Sequence, residues 1–263
     1  MRTSTDLTHV HAARPVAASD FDGTLNREQL IVHLAEQCFD LQILNRATEV
    51  LFTEARLAHR DRKITFEEHD RKIVDLFGNR IRGKLRSDVE LAAKRVFEHH
   101  RDWLYVFTRT LIGHVKTTHE CVAITGAMTE TVKLLAPYWG FDHYYGTELE
   151  INEHGRYTGR DLSVPALDKK TALLEHIATT GALLAGSIAI GDTATDIAML
   201  AVVENPIAFN PNDALGTAAE KNRWPIVLER KDCIYVLSHN TSKRFSSSDA
   251  IAAVHYTLTL PKE

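Results

Sequence analysis

Cysteine is scarce in this sequence: its 263 residues include only Cys38, Cys121 and Cys233, and no two of them have Cys-x-x-Cys spacing. An odd, sparse set argues against a disulfide framework. Cys121 opens an apolar segment, which favours a packing role over that of a nucleophile. Few, unpaired thiols are typical of a reducing compartment, and we therefore expect a cytoplasmic protein.

Long apolar runs and an excess of positive charge are also lacking. No apolar segment approaches the length of a membrane span, and the first residues lack the apolar stretch of a secretory signal. The 31 basic and 35 acidic residues give a net charge of -4 at pH 7. This balance predicts neither a nucleic-acid partner nor a membrane partner. A small molecule is the expected partner, and a homo-oligomer is compatible with the sequence.

Proline is absent from residues 27–115, and glycine is rare there. Segments such as REQLIVHLAEQCFDLQIL carry apolar residues at helical spacing, so this region is predicted to be an all-helical insert. On either side, residues 1–26 and 116–263 alternate short apolar strands with helical stretches, a pattern typical of an α/β protein with a Rossmann-like parallel sheet. The predicted strands cover residues 15–20, 121–125, 187–191, 206–210 and 225–229.

Of two further stretches outside these strands, one has a predicted secondary structure and the other has none. The segment YYGTELEINEHGRYTGR is predicted to be a hairpin that turns at His154-Gly155. The polar, serine-rich segment from about residue 230 onward receives no assignment.

Four short segments place polar residues just after a predicted strand or at the start of a predicted helix. In open parallel sheets, ligands bind outside the carboxyl ends of the strands, so these segments are predicted to converge on one pocket. The segments are Asp20-Phe21-Asp22-Gly23-Thr24, Thr125-Gly126, Lys170 at the start of KKTALLEHIATT, and Gly191-Asp192 followed by Asp196.

The residue types in these segments suit phosphoryl chemistry. Several carboxylates in one pocket repel one another unless a cation neutralises them, and oxygen ligands favour a hard ion such as Mg²⁺. A threonine hydroxyl and a lysine ammonium suit the oxygens of a phosphate. One carboxylate can attack phosphorus, while a second, two residues along a strand and on the same face, can serve as general acid and base.

The ordered set of motifs resembles the haloacid dehalogenase superfamily, and the helical insert resembles its C1 cap. The segment GFDHYYGTELEINEHGRYTGR and the later IAFNP are similar to the phosphoserine-phosphatase-like branch. The resemblance implies a core of residues 1–26 and 116–263 and a cap of residues 27–115.

The resemblance also implies roles for single residues. Asp20 matches the nucleophile, and Asp22 the general acid and base. Asp20, the Asp22 carbonyl and Asp192 match the metal ligands, and Asp196 a supporting acid. The phosphate-binding positions match Thr125, Gly126 and Lys170, with Lys169 as the adjacent, less favoured candidate for the lysine.

An acid at Asp22 sets the expected activity, because dehalogenases lack it and ATP-driven pumps carry threonine there. The expected protein is a Mg²⁺-dependent phosphatase acting on a small phosphate monoester through an aspartyl-phosphate. A phosphotransferase with the same intermediate is the alternative, and a non-catalytic phosphometabolite-binding protein is less favoured. Phosphoserine phosphatases carry a glutamate shortly after the first motif, where this chain has Glu28 or Gln29. They also carry an arginine in the cap, where this chain has Ile73 with Arg71 and Lys72 close by, so the substrate stays open.

Overall fold

The structure is a computed structural model that describes residues 13–261, apart from the side chains of residues 66 and 67. Within this range one nine-stranded sheet has the order β4-β3-β2-β1-β5-β6-β7-β8-β9. The strands are β1 Pro15–Ser19, β2 Glu120–Met128, β3 His143–Ile151, β4 Tyr157–Ser163, β5 Leu183–Gly191, β6 Asn205–Phe209, β7 Ile226–Arg230, β8 Cys233–Ser238 and β9 Thr241–Ser246.

The ten α-helices of the described range flank or interrupt this sheet. They are α1 Leu30–Asp40, α2 Arg46–Arg60, α3 Phe66–Ile81, α4 Arg86–His100, α5 Val106–Val115, α6 Thr129–Trp139, α7 Lys169–Thr180, α8 Ile197–Leu200, α9 Asp213–Lys221 and α10 Ala250–Leu258. None of them is long and apolar enough to cross a membrane.

The centre of the sheet is parallel and covered on both faces. β1 pairs in parallel with β2 and β5, and the parallel pairing continues through β6 to β7 on one side and through β3 on the other. Strands buried on both faces are near-continuous apolar runs, which explains why PVAAS and SIAI lack alternation. The predicted α/β fold class is confirmed, and each predicted core strand overlaps an observed strand with ends that differ by at most four residues.

The helices α1 to α4 lie between β1 and β2, within the range predicted for the insert. Two of them begin at side-chain caps that the sequence encodes. Asn45 accepts a hydrogen bond from the Thr48 backbone N–H, and Thr65 forms a reciprocal capping box with Glu68. Such caps satisfy backbone donors that a helix leaves unpaired at its first turn.

Helix α5 falls inside the range predicted for the cap but packs against the sheet. Phe107 stacks on Phe209 of β6 with the ring centroids 6.0 Å apart, and His114 contacts His255 of α10. The division at residue 115 stays a prediction, and these contacts favour a division near Tyr105 instead.

The predicted hairpin corresponds to β3 and β4, which pair antiparallel, and Gly155 in its turn has φ +70°. The backbone of this hairpin also pairs with the loop between α3 and α4. Gly83 N donates to Tyr157 O (2.8 Å), and Arg86 N donates to Gly155 O (2.9 Å). The helical insert is therefore tied to the sheet at a second place, away from its two chain ends.

The segment after residue 230 forms ordered structure that the sequence did not predict. β8 pairs antiparallel with β7 and β9 pairs antiparallel with β8, and α10 covers both strands with Ala253 and Val254 fully buried. Both strands are short, and β9 is exposed at every residue except Phe245, so their apolar alternation is too weak to separate them from loops.

Candidate active site

The first polar segment leaves the sheet at the carboxyl end of β1 and turns at once. The Asp20 N–H still donates to Ile190 O of β5 (3.1 Å), which continues the strand pairing by one residue. The Phe21 carbonyl then accepts hydrogen bonds from the backbone of Thr24, Leu25 and Asn26. This tight loop holds Asp20, which is only 5% exposed, at the edge of the sheet.

Gly23 allows a second acid to approach this loop. Its φ is +79°, a conformation that costs glycine little, and a β-carbon at this position would collide with the Asp192 carboxylate. Thr24 Oγ1 donates to Asp192 Oδ1 over 3.1 Å. The loop after β1 and the loop after β5 are therefore in direct contact.

Asp196 organises the loop after β5. One of its carboxylate oxygens, Oδ2, accepts backbone hydrogen bonds from Asp192 (3.1 Å) and Thr193 (3.0 Å). A β-carbon at Gly191 would collide with the Asp196 side chain, so only glycine leaves room for it. Asp196 is fully buried.

Three of the predicted acids form one group, here named the acidic cluster: Asp20, Asp192 and Asp196. Each offers a carboxylate oxygen, and these oxygens lie within 4.8 Å of one another. Lys169 is 2% exposed and places its Nζ 2.9 Å from Asp20 Oδ1 and 2.6 Å from Asp196 Oδ1. Burial alone would lower the pKa of Lys169, but the Asp196 and Asp20 carboxylates raise it, so the ammonium stays charged.

The structure places Lys169, and not the favoured candidate Lys170, against the acidic cluster, and a phosphate-binding role for a lysine stays a prediction. Lys170 is exposed, whereas Lys169 contacts the acidic cluster. Helix α7 begins at Lys169 with Asp168 as its cap, which accepts a hydrogen bond from the Thr171 N–H. Successive helical residues point about 100° apart, so only one of two adjacent lysines can face the sheet edge.

Asp22 lies next to the cluster and is held by the first helix of the insert. Its Oδ1 accepts a hydrogen bond from the Leu30 N–H over 2.9 Å, at the start of α1. Burial and, after it, the negative charge of Asp20 raise the pKa of Asp22 to about 8. An acid with this pKa holds its proton at neutral pH, as a proton donor must.

The acidic cluster has three carboxyl groups, and the single ammonium of Lys169 cannot balance the charge of all three. Burial raises the pKa of Asp20 to about 6 even though Lys169 opposes this. Burial and the Asp20 charge likewise raise the pKa of Asp192 well above its ordinary value. Oxygen donors under this repulsion are the donor set that Mg²⁺ prefers, so these residues fit a bound magnesium ion.

Thr125 and Gly126 lie at the same edge of the sheet but inside a strand. β2 continues to Met128. Ala123 of β2 pairs with Ser19, the last residue of β1, so Thr125 lies beyond the end of β1. The buried Thr125 Oγ1 accepts a hydrogen bond from the Ala127 N–H over 3.1 Å. A phosphate-binding role for Thr125 and Gly126 stays a prediction.

On the side of the insert lies one polar contact that the sequence does not predict. Gln29 Nε2 donates to Asp70 Oδ1 of α3 over 2.7 Å, and Gln29 adjoins the helix start that holds Asp22. The Asp70 charge contributes to the raised pKa of Asp22, after burial and Asp20. Arg71 and Lys72 are exposed on α3. No local motif marks Asp70, because the contact depends on how α3 packs.

Comparison with known proteins adds a family and a fold. The model of the haloacid dehalogenase-like hydrolases matches residues 17–201. A histidinol-phosphatase of Neisseria meningitidis serogroup C (strain 8013) is 28% identical over 120 residues, 44% of this chain and 54% of that protein. The "inhibition of morphological differentiation protein" of Streptomyces azureus is 30% identical over 115 residues, 43% of this chain and 42% of that protein. The chain spans about half the length of these curated relatives.

Solved structures show the same fold at low sequence identity. A protein of unknown function from Bordetella pertussis Tohama I has a TM-score of 0.65 and 21% identity, covering 82% of this chain and 98% of that one. A phosphoserine phosphatase, solved as an analogue of its phospho-aspartyl intermediate, has a TM-score of 0.57 and 22% identity, covering 84% and 96%. The chain belongs to the family of haloacid dehalogenase-like hydrolases and has a fold similar to that of the phosphoserine phosphatases.

Proposed function

We propose that the protein is a Mg²⁺-dependent phosphatase that hydrolyses a small phosphate monoester through an aspartyl-phosphate. The observation that carries this proposal is the pair of acids after β1. Asp20 contacts a buried ammonium, while Asp22 has a pKa raised to about 8 and a carboxylate held by the Leu30 N–H. Two neighbouring acids whose environments differ in this way suit a nucleophile and a proton donor.

In the first half-reaction, an Asp20 carboxylate oxygen attacks phosphorus. The bond from phosphorus to the alcohol oxygen breaks, and Asp22 gives its proton to that oxygen. In the second half-reaction, Asp22 takes a proton from water as the water oxygen attacks phosphorus. The acyl–phosphate bond to Asp20 then breaks, which releases inorganic phosphate and restores both carboxyl groups.

The chain supplies charge and position for these steps. Asp20, Asp192 and the Asp22 carbonyl would hold Mg²⁺, which when bound neutralises carboxylate and phosphate charge. Lys169 would offset the remaining charge beside Asp20. The names of the relatives, histidinol-phosphatase and phosphoserine phosphatase, support phosphomonoester chemistry without fixing the alcohol. The cytoplasmic location and the oligomeric state stay predictions of the sequence.

The two acids can be distinguished with p-nitrophenyl phosphate, whose leaving group departs without protonation, and with an alkyl phosphate, whose leaving group needs it. Asp20→Asn should abolish release of both alcohol and phosphate. Asp22→Asn should slow alkyl phosphate turnover by about 10² to 10⁴. With the aryl ester the same variant should release a burst of nitrophenol and retain phosphate on the protein, because the second step lacks its base.

The matched control is Asp161→Asn, which changes an exposed acid of β4 and should leave turnover unchanged. Each assay is run with Mg²⁺ and with a chelator, and turnover should require the ion. Phosphate release by Asp20→Asn at the wild-type rate would show that Asp20 is not the nucleophile.

A further inference from the structure

The chain crosses between the sheet and the helical insert twice, and the two crossings pair with each other. Tyr105 N donates to Leu25 O (2.9 Å), and Arg27 N donates to Trp103 O (3.2 Å). Asn26 forms an antiparallel bridge with Leu104 between them. Because Leu25 directly follows the loop that carries Asp20 and Asp22, the geometry of these crossings is coupled to the site.

A buried carboxylate from β7 holds this paired segment. Only 1% of the Glu229 side chain is exposed. Its Oε1 accepts hydrogen bonds from Arg27 Nη2 (2.6 Å) and the Val106 N–H (3.1 Å), and its Oε2 accepts one from the Phe107 N–H (2.8 Å). Helix α5 has no side-chain cap of its own at Tyr105, and Glu229 satisfies two backbone donors of its first turn.

Arg27 joins the first crossing to the second. Besides its ion pair, its Nε donates to Leu104 O over 2.9 Å, and its guanidinium lies 4.6 Å from the centre of the Tyr105 ring. Arg27, Glu229 and the first turn of α5 are named here the hinge cluster. A buried ion pair adds little net stability over apolar packing, but its fixed hydrogen bonds specify one arrangement of the chain.

The hinge cluster is also linked to the loop of Asp192. The Glu229 N–H donates to Asn210 Oδ1 over 2.9 Å, directly after β6. Two residues further on, the Asn212 N–H donates to Asp192 O over 2.8 Å. Glu229 thus contacts two structures: the paired crossings, which follow the loop of Asp22, and the segment after β6, which supports Asp192.

We propose that Glu229 is a positioning residue that fixes the helical insert over the acidic cluster through Arg27 and the first turn of α5. The inference rests on the proposed function, because it assumes that the insert contacts the alcohol part of the substrate while the core binds its phosphate. Loss of the Glu229 charge then weakens binding of the ester but not of inorganic phosphate.

The test compares Glu229→Gln, Arg27→Ala and the double variant with wild type. In Glu229→Gln an amide N–H₂ replaces one of the two oxygens that together accept from three donors, so the hinge cluster loosens. We expect KM for p-nitrophenyl phosphate to rise about 10- to 100-fold, the effect of losing hydrogen bonds to a charged group. Inhibition by inorganic phosphate should be unchanged, and the double variant should be no worse than the more impaired single one.

The control is Arg56→Ala, which breaks an ion pair to Glu36 of similar length (2.7 Å) on the exposed surface of the insert and should leave KM unchanged. If Glu229→Gln does not fold, Arg27→Ala carries the test, because its side chain is one third exposed. A parallel rise in KM and in the phosphate inhibition constant, or additive effects in the double variant, would overturn the proposal.

Hydrogen exchange of the backbone N–H groups in residues 25–27 and 104–107 gives a readout that needs no turnover. These N–H groups should exchange at least about tenfold faster in the variants than in wild type, while the exchange rates of the sheet strands stay unchanged. If wild type hydrolyses no ester but exchange responds, the phosphatase proposal fails and the hinge cluster stands. If wild type is active and exchange does not respond, the positioning role fails.

Discussion

At the scale of single residues, two adjacent lysines provide a test of what the acidic cluster requires. Lys169 contacts Asp20 and Asp196, whereas Lys170 is exposed one position later. Lys169→Met leaves two buried carboxylates without their ammonium, which should lower the free energy of unfolding by about 3 to 5 kcal/mol and remove turnover. Lys170→Met should change the free energy of unfolding by no more than about 0.5 kcal/mol.

Urea unfolding of both variants, with p-nitrophenyl phosphate turnover measured alongside, checks this prediction. Because the substitutions are chemically identical and adjacent, Lys170→Met controls for the loss of one positive charge. An equal loss of turnover in the two variants would contradict the assignment of Lys169.

The acids could be predicted from sequence more securely than the lysine. Asp20, Asp192 and Asp196 each follow an apolar strand, and strand ends in a parallel sheet meet at one edge, so their convergence follows from topology. The choice between Lys169 and Lys170 depends instead on the rotational phase of α7. That phase is set by where the helix begins, and helix boundaries are uncertain from sequence by a residue or more.

At the scale of elements, the contact between the hairpin and the α3–α4 loop can be tested at one backbone donor. The Arg86 N–H donates to Gly155 O, and Arg86 is the first residue of α4, where proline is tolerated. The preceding Leu85 has φ -73° and ψ 137°, an extended conformation that suits a residue before proline. Arg86→Pro therefore removes the donor without breaking the helix.

The matched control is Arg86→Ala, since both variants lose the side-chain ion pairs to Glu90 and Glu130. Proline also restricts the unfolded chain, so total stability is a poor measure of the lost bond. We expect the neighbouring Gly83 and Tyr157 N–H groups to exchange about 2- to 10-fold faster in Arg86→Pro than in Arg86→Ala. Equal exchange in the two variants would mean that the pairing does not tie the insert to the sheet.

Some strands and helices of this protein can be predicted from the sequence, and others cannot. β5 and β6 are continuous apolar runs bounded by polar loops, and such runs identify buried strands. β8 fully buries only Ile234 and Val236, β9 buries only Phe245, and α10 lacks a side-chain cap. The segment after residue 230 therefore carried no signal strong enough to assign. Helix α5 could be predicted as a helix, but its packing on β6 depends on tertiary contacts alone.

At the scale of the whole molecule, the site makes stability depend on pH in the absence of metal. The pKa of Asp20 is raised to about 6 and that of Asp22 to about 8, in both cases chiefly by burial. A carboxyl whose folded-state pKa is raised favours folding while protonated and loses that contribution as pH rises toward the raised value. The free energy of unfolding should therefore fall between about pH 4 and pH 8, by up to about 1.4 kcal/mol per pH unit for each titrating group.

Urea unfolding in a chelator across this range measures the effect, and the same series with Mg²⁺ should show a smaller fall. Asp22→Asn removes one titrating group and should flatten the curve between about pH 6 and pH 8. Stability that rises over this interval in the chelator would contradict the prediction.

The central place of β1 has a consequence for how the protein is made. Val16 pairs with Glu120 and Ala17 with Ile188, so both partners of β1 follow it by more than one hundred residues. Contacts this distant in sequence form late, and domains acquire structure from the amino terminus during synthesis. A nascent chain would carry β1 as an unpaired apolar segment while α1 to α4 form local contacts. The helical insert can thus fold first, and the acidic cluster can assemble only after β5 and the Asp192 loop have left the ribosome.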